Sequence, residues 1–104
     1  MRCRRCSPVP EEVRRAAGVL ERRWTISILY ASTQGAERFN EFLDALGRVP
    51  PATLATRLNQ LVDAGLLERH VLDTRPPAVE YRMTHEGKQL EPLLREVVRW
   101  SGAA

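Results

Sequence analysis

The sequence predicts a mainly helical single domain carrying one small β-hairpin. Three observations predict it. Apolar residues recur at helical spacing over four stretches, around a fifth that is apolar on nearly all sides. Two short runs of alternating apolar and polar residues flank a Pro-Pro loop. The chain has 104 residues, 43% of them hydrophobic, which is enough for one core and too little for two domains.

The elements follow in order. After Pro10, the residues Val13, Ala16, Ala17, Leu20 and Trp24 keep the i, i+3, i+4, i+7 spacing of one helix face, with Gly18 as its weak point. From Trp24 to about Thr33 the residues Trp24, Ile26, Ile28, Leu29, Tyr30 and Ala31 are apolar nearly all round, as in a helix surrounded by others. Gln34-Gly35-Ala36 ends that central helix, and a short strand fits around Glu37-Arg38. Phe39, Phe42, Leu43 and Leu46 mark a brief third helix closed by Gly47. Pro51 opens the fourth helix, where a missing N–H costs nothing; Leu54, Leu58, Leu61 and Val62 form its apolar face and Gly65 ends it. Leu66 to Leu72 and Val79 to Met83 then form a hairpin around the loop Asp73 to Ala78. Thr84 caps a last helix whose stripe is Leu90, Leu93, Leu94, Val97, Val98 and Trp100.

Composition bounds the function classes. Sixteen Lys+Arg against 13 Asp+Glu leave a formal charge of +3, a weak pointer to a polyanion. The excess is uneven: residues 1–24 carry +4, residues 25–47 carry −2 and the remainder +1. The longest uncharged stretch, Trp24 to Ala36, is 13 residues, well short of a membrane span of about 20. The basic N-terminus lacks the apolar core of a secretory signal, and two cysteines three apart cannot staple a secreted fold, so the cytoplasm is the expected compartment. No phosphate-binding glycine loop, nucleophile with a histidine partner or carboxylate pair points to an enzyme. With only His70 and His85 beside Cys3 and Cys6, and no finger-like spacing, neither metal nor cofactor is expected.

Two helices joined by a tight turn and followed directly by a hairpin make a winged helix-turn-helix, with the second helix of the pair in the major groove of double-stranded DNA. The pair spans residues 38–65 and the wing 66–83. On the helix from Pro51 to Ala64 the side chains away from the leucines include Ala52, Thr53, Thr56, Arg57, Asn59, Gln60 and Asp63. Thr, Asn, Gln and Arg are the types that bond base edges and phosphates, and Thr53, Thr56, Arg57 and Gln60 are the expected contacts. Arg75, beside the stiff Pro76-Pro77 pair at the wing tip, suits the minor groove, with Arg69 and Arg82 on the strands. Arg38 and Arg48 flank the first helix of the pair, where they can meet the DNA backbone or pair with Glu37, Glu41 or Asp44. A helix-turn-helix used only for protein contact is the competing reading, favoured by Asp63 and by a recognition helix without Lys.

The helices at residues 10–24 and 84–102 offer more apolar surface than one small core can cover. Val13, Ala17, Leu20, Leu90, Leu94, Val97 and Trp100 are therefore expected at a homodimer interface, which also matches two half-sites. Residues 1–9 are expected to form a flexible N-terminus. There Arg2, Arg4 and Arg5 favour the thiolates of Cys3 and Cys6, the form that reacts with oxidants and electrophiles; a frayed end with incidental thiols is the equal alternative.

With these residues on the page, the chain resembles the HxlR-type branch of the MarR-like winged-helix regulators from about Cys6 to Trp100. The resemblance runs through Cys6 with Pro8-Val9, Trp24-Thr25, Arg38-Phe39-Asn40-Glu41, Thr53-Leu54, Arg57-Leu58, Leu61, Gly65-Leu66-Leu67, Pro76-Pro77, Val79-Glu80-Tyr81, Thr84 and Gly87. It implies a homodimer whose terminal helices form the interface, two winged helices on a pseudo-palindromic operator, and thiol sensing at the place of Cys6, with Cys3 as resolving partner. The chain departs from the family pattern at Glu21-Arg22-Arg23, where Gly-Gly-Lys is usual, at Pro50, where Ser is usual, and at Ala52, where a polar residue is common.

Overall fold

The computed structural model describes residues 7–102. In chain order they form α1 (Glu11–Leu20), α2 (Thr25–Thr33), α3 (Phe39–Leu46), α4 (Pro51–Asp63), β1 (Leu67–Leu72), β2 (Ala78–Met83), α5 (His85–Lys88) and α6 (Glu91–Ser101). The fold is a winged helix-turn-helix: α3 and α4 are the helix pair and β1–β2 the wing. Among the described residues no helix is long and apolar enough to cross a membrane.

The core lies where α2, α3 and α4 meet the base of β1. Ile28, Leu29, Phe42, Leu54 and Leu58 are fully enclosed, and Leu61 and Leu67 nearly so. Val49, at 5% exposure, plugs the turn between α3 and α4. Burying each such side chain contributes about 1.5–3 kcal/mol relative to leaving it in water, so this cluster fixes how α4 is presented.

Three parts differ from the sequence expectation. First, α1 stops at Leu20, and Trp24 leaves its face. The chain reverses over residues 21–24 and Trp24 takes a left-handed conformation, φ 79°, at the N-cap of α2. For a bulky residue that backbone costs about 1–2 kcal/mol. The indole is held in return against the core, with the Arg23 guanidinium 5.1 Å from its ring centroid. Second, α2 is enclosed on one side only: Thr25, Ile28, Leu29 and Ala31 are buried, but Ile26 and Tyr30 remain 39% and 41% exposed. Third, the last helix is two helices. Pro92 has no amide proton to continue the first segment and its ring crowds the preceding turn, so the chain breaks at Gln89-Leu90 and restarts as α6.

The wing is antiparallel, with Leu67 opposite Met83 and Leu72 opposite Ala78. The short strand expected at Glu37-Arg38 is a single bridge from Arg38 to Glu80, next to a 2.7 Å hydrogen bond from the Tyr81 amide to the Glu37 carbonyl. The far end of α4 is tied to α5. Thr84 Oγ1 donates to the Gly65 carbonyl at 2.5 Å and accepts from the Gly87 amide at 3.0 Å, while the Thr84 amide donates to the Leu66 carbonyl at 3.1 Å. Gly87 is buried directly against Leu66.

The molecule is long for its size, 62 × 31 × 26 Å, with a radius of gyration of 15.9 Å where about 13 Å is usual for this length. α1 buries none of its residues and α6 only Leu94.

Candidate nucleic-acid interface

The packing of Leu54, Leu58 and Leu61 decides which side chains of α4 face out. Helical geometry puts Ala52, Thr56, Asn59 and Asp63 opposite that face, and all four are exposed. Thr53, Arg57 and Gln60 form a neighbouring ridge and are half-buried. That second ridge turns toward the α1–α2 reversal. Arg57 Nε donates to the Arg23 carbonyl at 2.9 Å and Arg57 Nη1 to Gln60 Oε1 at 3.3 Å. Gln60 also lines a crevice with Gly18, Val19, Arg22 and Thr25. Thr56 Oγ1 donates to the Ala52 carbonyl one turn back at 3.0 Å, which leaves its oxygen lone pairs directed outward. Asn59, one of the outward side chains expected from sequence though not among the four expected contacts, is exposed beside Thr56. A helical wheel centred on the three leucines places it on the outward ridge, whereas residue type alone favours Arg57.

The N-terminus of α4 carries no side-chain cap, because Pro50 stands at the N-cap. The amides of Ala52 and Thr53 therefore have no intrahelical acceptor, and they sit at the positive end of the helix dipole. Arg48 is exposed in the turn just before them, and Arg75 is exposed at the wing tip. Thr74 Oγ1 donates to the Pro76 carbonyl at 2.8 Å and tightens that tip.

Arg38 is committed differently from Arg48 and Arg75. Its Nε lies 3.8 Å from Glu80 Oε2, so its partner is on the wing and not among Glu37, Glu41 and Asp44. As the N-cap of α3, Arg38 has no acceptor to offer, and Glu41 closes that helix end instead. Its Oε1 accepts from the amides of Arg38 at 2.8 Å and Glu37 at 3.0 Å. The Arg38 amide, with that of Glu37, holds the Glu41 carboxyl below the usual carboxylate range. A depressed folded-state value stabilises the fold above the unfolded pKa, and that contribution is lost as pH falls through the folded value. The excess melting temperature of wild type over Glu41→Gln should therefore be largest above the ordinary carboxylate value of about 4.3 and shrink as pH falls below it; a gap independent of pH would contradict it.

Of the residues expected at a dimer interface, Val13 (53% exposed), Val97 (38%) and Trp100 (89%) face solvent. Ala17, Leu20 and Leu90 are half-buried. Leu94, at 4%, is a correction to the expected set: it belongs to the chain's own core, because α6 docks on α2 through it. Cys3 and Cys6 lie outside the described residues. Among the described residues no three His, Cys, Asp or Glu side chains gather as a metal site.

The sequence profile of the HxlR-like helix-turn-helix family matches residues 19–104. The chain belongs to that family. As an HxlR-like protein it is a helix-turn-helix transcriptional regulator and not an enzyme. It is 33% identical over 87 residues to the HTH-type transcriptional regulator YvaP of Bacillus subtilis (strain 168), covering 84% of this chain and 81% of YvaP. Against another HTH-type regulator, sll1512 of Synechocystis sp. (strain ATCC 27184 / PCC 6803 / Kazusa), identity is 34% and the chain spans 61% of the relative's length. Among solved structures, the reduced form of the redox regulator HypR superposes with a TM-score of 0.81 at 29% identity, over 89% of this HxlR-like chain and 92% of that one.

Proposed function

We propose that the chain is a homodimeric repressor or activator that reads a pseudo-palindromic DNA operator with α4 in the major groove and the 73–78 loop at the minor groove. The observation that carries this reading is the outward ridge of α4. Its Thr56 and Asn59 stand opposite a fully buried leucine face, and Arg48 in the turn before the helix and Arg75 at the wing tip are both exposed. Base contact falls to Thr56, Asn59 and, at the helix start, Thr53. Phosphate contact falls to Arg48 and Arg75. Arg57 and Gln60 support these from behind by locking α4 to the α1–α2 reversal.

Dimerisation is supported by the unburied α1, by Trp100 at 89% exposure and by an apolar groove of about 380 Å³ beside α6, lined in part by Ile26, Tyr30, Leu46 and Val97. A two-fold pairing along α1 and α6 would cover these surfaces and give two recognition helices. Selection of bound sites from random duplex DNA tests both halves of the proposal. Inverted half-sites about 10 base pairs apart, or a multiple of that, are expected. Enrichment of a lone half-site would overturn the dimer, and absence of duplex affinity at low salt would favour the protein-contact reading.

Thiol control is part of the same proposal. Cys6 follows three arginines within the first five residues, which favours its thiolate, and HypR is a redox regulator. Diamide should release wild type from its operator and leave Cys6→Ser bound, as measured by mobility shift. Equal release of both proteins would show that Cys6 is not the sensing thiol.

A further inference from the structure

We propose that Glu80 is a specificity-determining residue of the DNA interface, holding the Arg38 and Arg82 guanidinium groups away from phosphate so that duplex affinity rests on Arg48 and Arg75. The inference rests on the DNA-binding reading above and adds a residue to which no role has been given.

Glu80 sits in β2 with its side chain only 16% exposed, beneath two arginines that are 52% and 45% exposed. Its Oε1 accepts from Arg82 Nη2 at 2.6 Å and Nε at 3.1 Å. Its Oε2 lies 3.8 Å from Arg38 Nε. Arg82 Nε also reaches Glu37 Oε2 at 3.2 Å. The backbone fixes this arrangement, since Arg38 and Glu80 are bridged and the Tyr81 amide is bonded to the Glu37 carbonyl. Two acids and two bases thus cancel at the root of the wing.

The cancellation matters because phosphate contacts carry no sequence information. Each arginine that neutralises a phosphate releases counterions and steepens the salt dependence of binding by about 0.9 in log–log slope, whatever the sequence. Two such contacts at the wing root would raise affinity for every duplex in the cell, and specificity is the ratio of operator to non-operator binding. A carboxylate placed between the two guanidinium groups removes that contribution while keeping both arginines as packing and hydrogen-bonding groups.

The full chain is titrated onto a labelled duplex of arbitrary sequence from about 50 to 200 mM salt. Glu80→Gln keeps the shape and an acceptor oxygen but removes the charge. It should bind this duplex at least about tenfold tighter at the low-salt end, with a slope steeper by about two to four units, one or two arginines being freed in each protomer of the dimer. The triple variant E80Q/R38Q/R82Q should return to the wild-type slope. An E80Q slope equal to or shallower than wild type overturns the proposal. If E80Q does not melt cooperatively, Arg82→Gln alone decides: an unchanged slope supports the proposal, and a loss of about two units, one per protomer, overturns it by showing Arg82 already on phosphate. Wild type that binds no duplex at all overturns the DNA-binding reading and this inference together, whereas wild type that binds with the same slope as E80Q overturns this inference alone.

Discussion

Gly87→Ala should lower the stability of the protein by about 3 kcal/mol, which for a domain of this size is about 12–24 °C in melting temperature. The added methyl group would stand well inside contact distance of the Leu66 carbonyl oxygen, and the obstacle is backbone, not a side chain that can swing aside. That same carbonyl accepts the Thr84 amide, and the Gly87 amide donates to Thr84 Oγ1. Making room for the methyl therefore means pulling α5 off the end of α4 and loosening the bonds that join them. The control is the identical substitution at Gly18. There a methyl meets nothing within 4 Å and the residue lies inside α1, so Gly18→Ala should stabilise by about 0.5–1 kcal/mol through helix propensity and the unfolded chain. Opposite signs in two thermal melts followed by circular dichroism are the expected result. A Gly87→Ala melt within a few degrees of wild type would show that α5 does not depend on this close approach.

The double variant Thr56→Ala with Asn59→Ala should lose at least about a hundredfold in affinity for the selected operator. Affinity for unrelated duplex, and the salt slope, should stay near wild type. Each base contact is worth about 1–3 kcal/mol of discrimination, and a dimer reads each position twice. Both side chains are exposed and neither belongs to the core, so the variant should melt with the wild type. The complementary double variant Arg48→Ala with Arg75→Ala should do the reverse: weaken binding to all duplexes alike and flatten the slope by about three to four units, since each protomer loses two phosphate contacts. Operator titrations of both variants over a salt series separate the two roles. An operator affinity of T56A/N59A within threefold of wild type would mean that α4 does not read bases through its outward ridge.

The order of elements was legible because it rests on period and punctuation. Leu54, Leu58 and Leu61 at helical spacing, Gly47 and Gly65 at helix ends, and the alternating runs around Pro76-Pro77 are local signals, and α3, α4 and the wing follow them closely. What was not legible involved contacts between distant parts of the chain. Nothing near Trp24 in sequence announces a left-handed residue; the conformation is held by packing of the ring on the core. The reach of Arg57 to the Arg23 carbonyl spans 34 positions, and no periodicity encodes it. The pairing of Arg38 with Glu80 instead of its near neighbours arises from the bridge that brings the wing alongside the start of α3. Pro92 was the missed local signal: it was visible in the sequence and is sufficient to divide the last helix.

The two ridges of α4 also bear on how such a regulator can change over evolutionary time. One ridge is half-buried and is tied to the rest of the fold through Arg57 and the Arg23 carbonyl, while the other, Ala52, Thr56, Asn59 and Asp63, is exposed. Substitutions at positions of the second kind usually move stability by no more than about 0.5 kcal/mol. Mutation can therefore wander across the outward ridge without pushing the chain toward unfolding, and if that ridge reads the operator as proposed, it samples new operators as it goes. On the proposed reading, a duplicated copy could acquire different target genes while its architecture stays intact, because Thr56 and Asn59 are not the side chains that hold the helix in place.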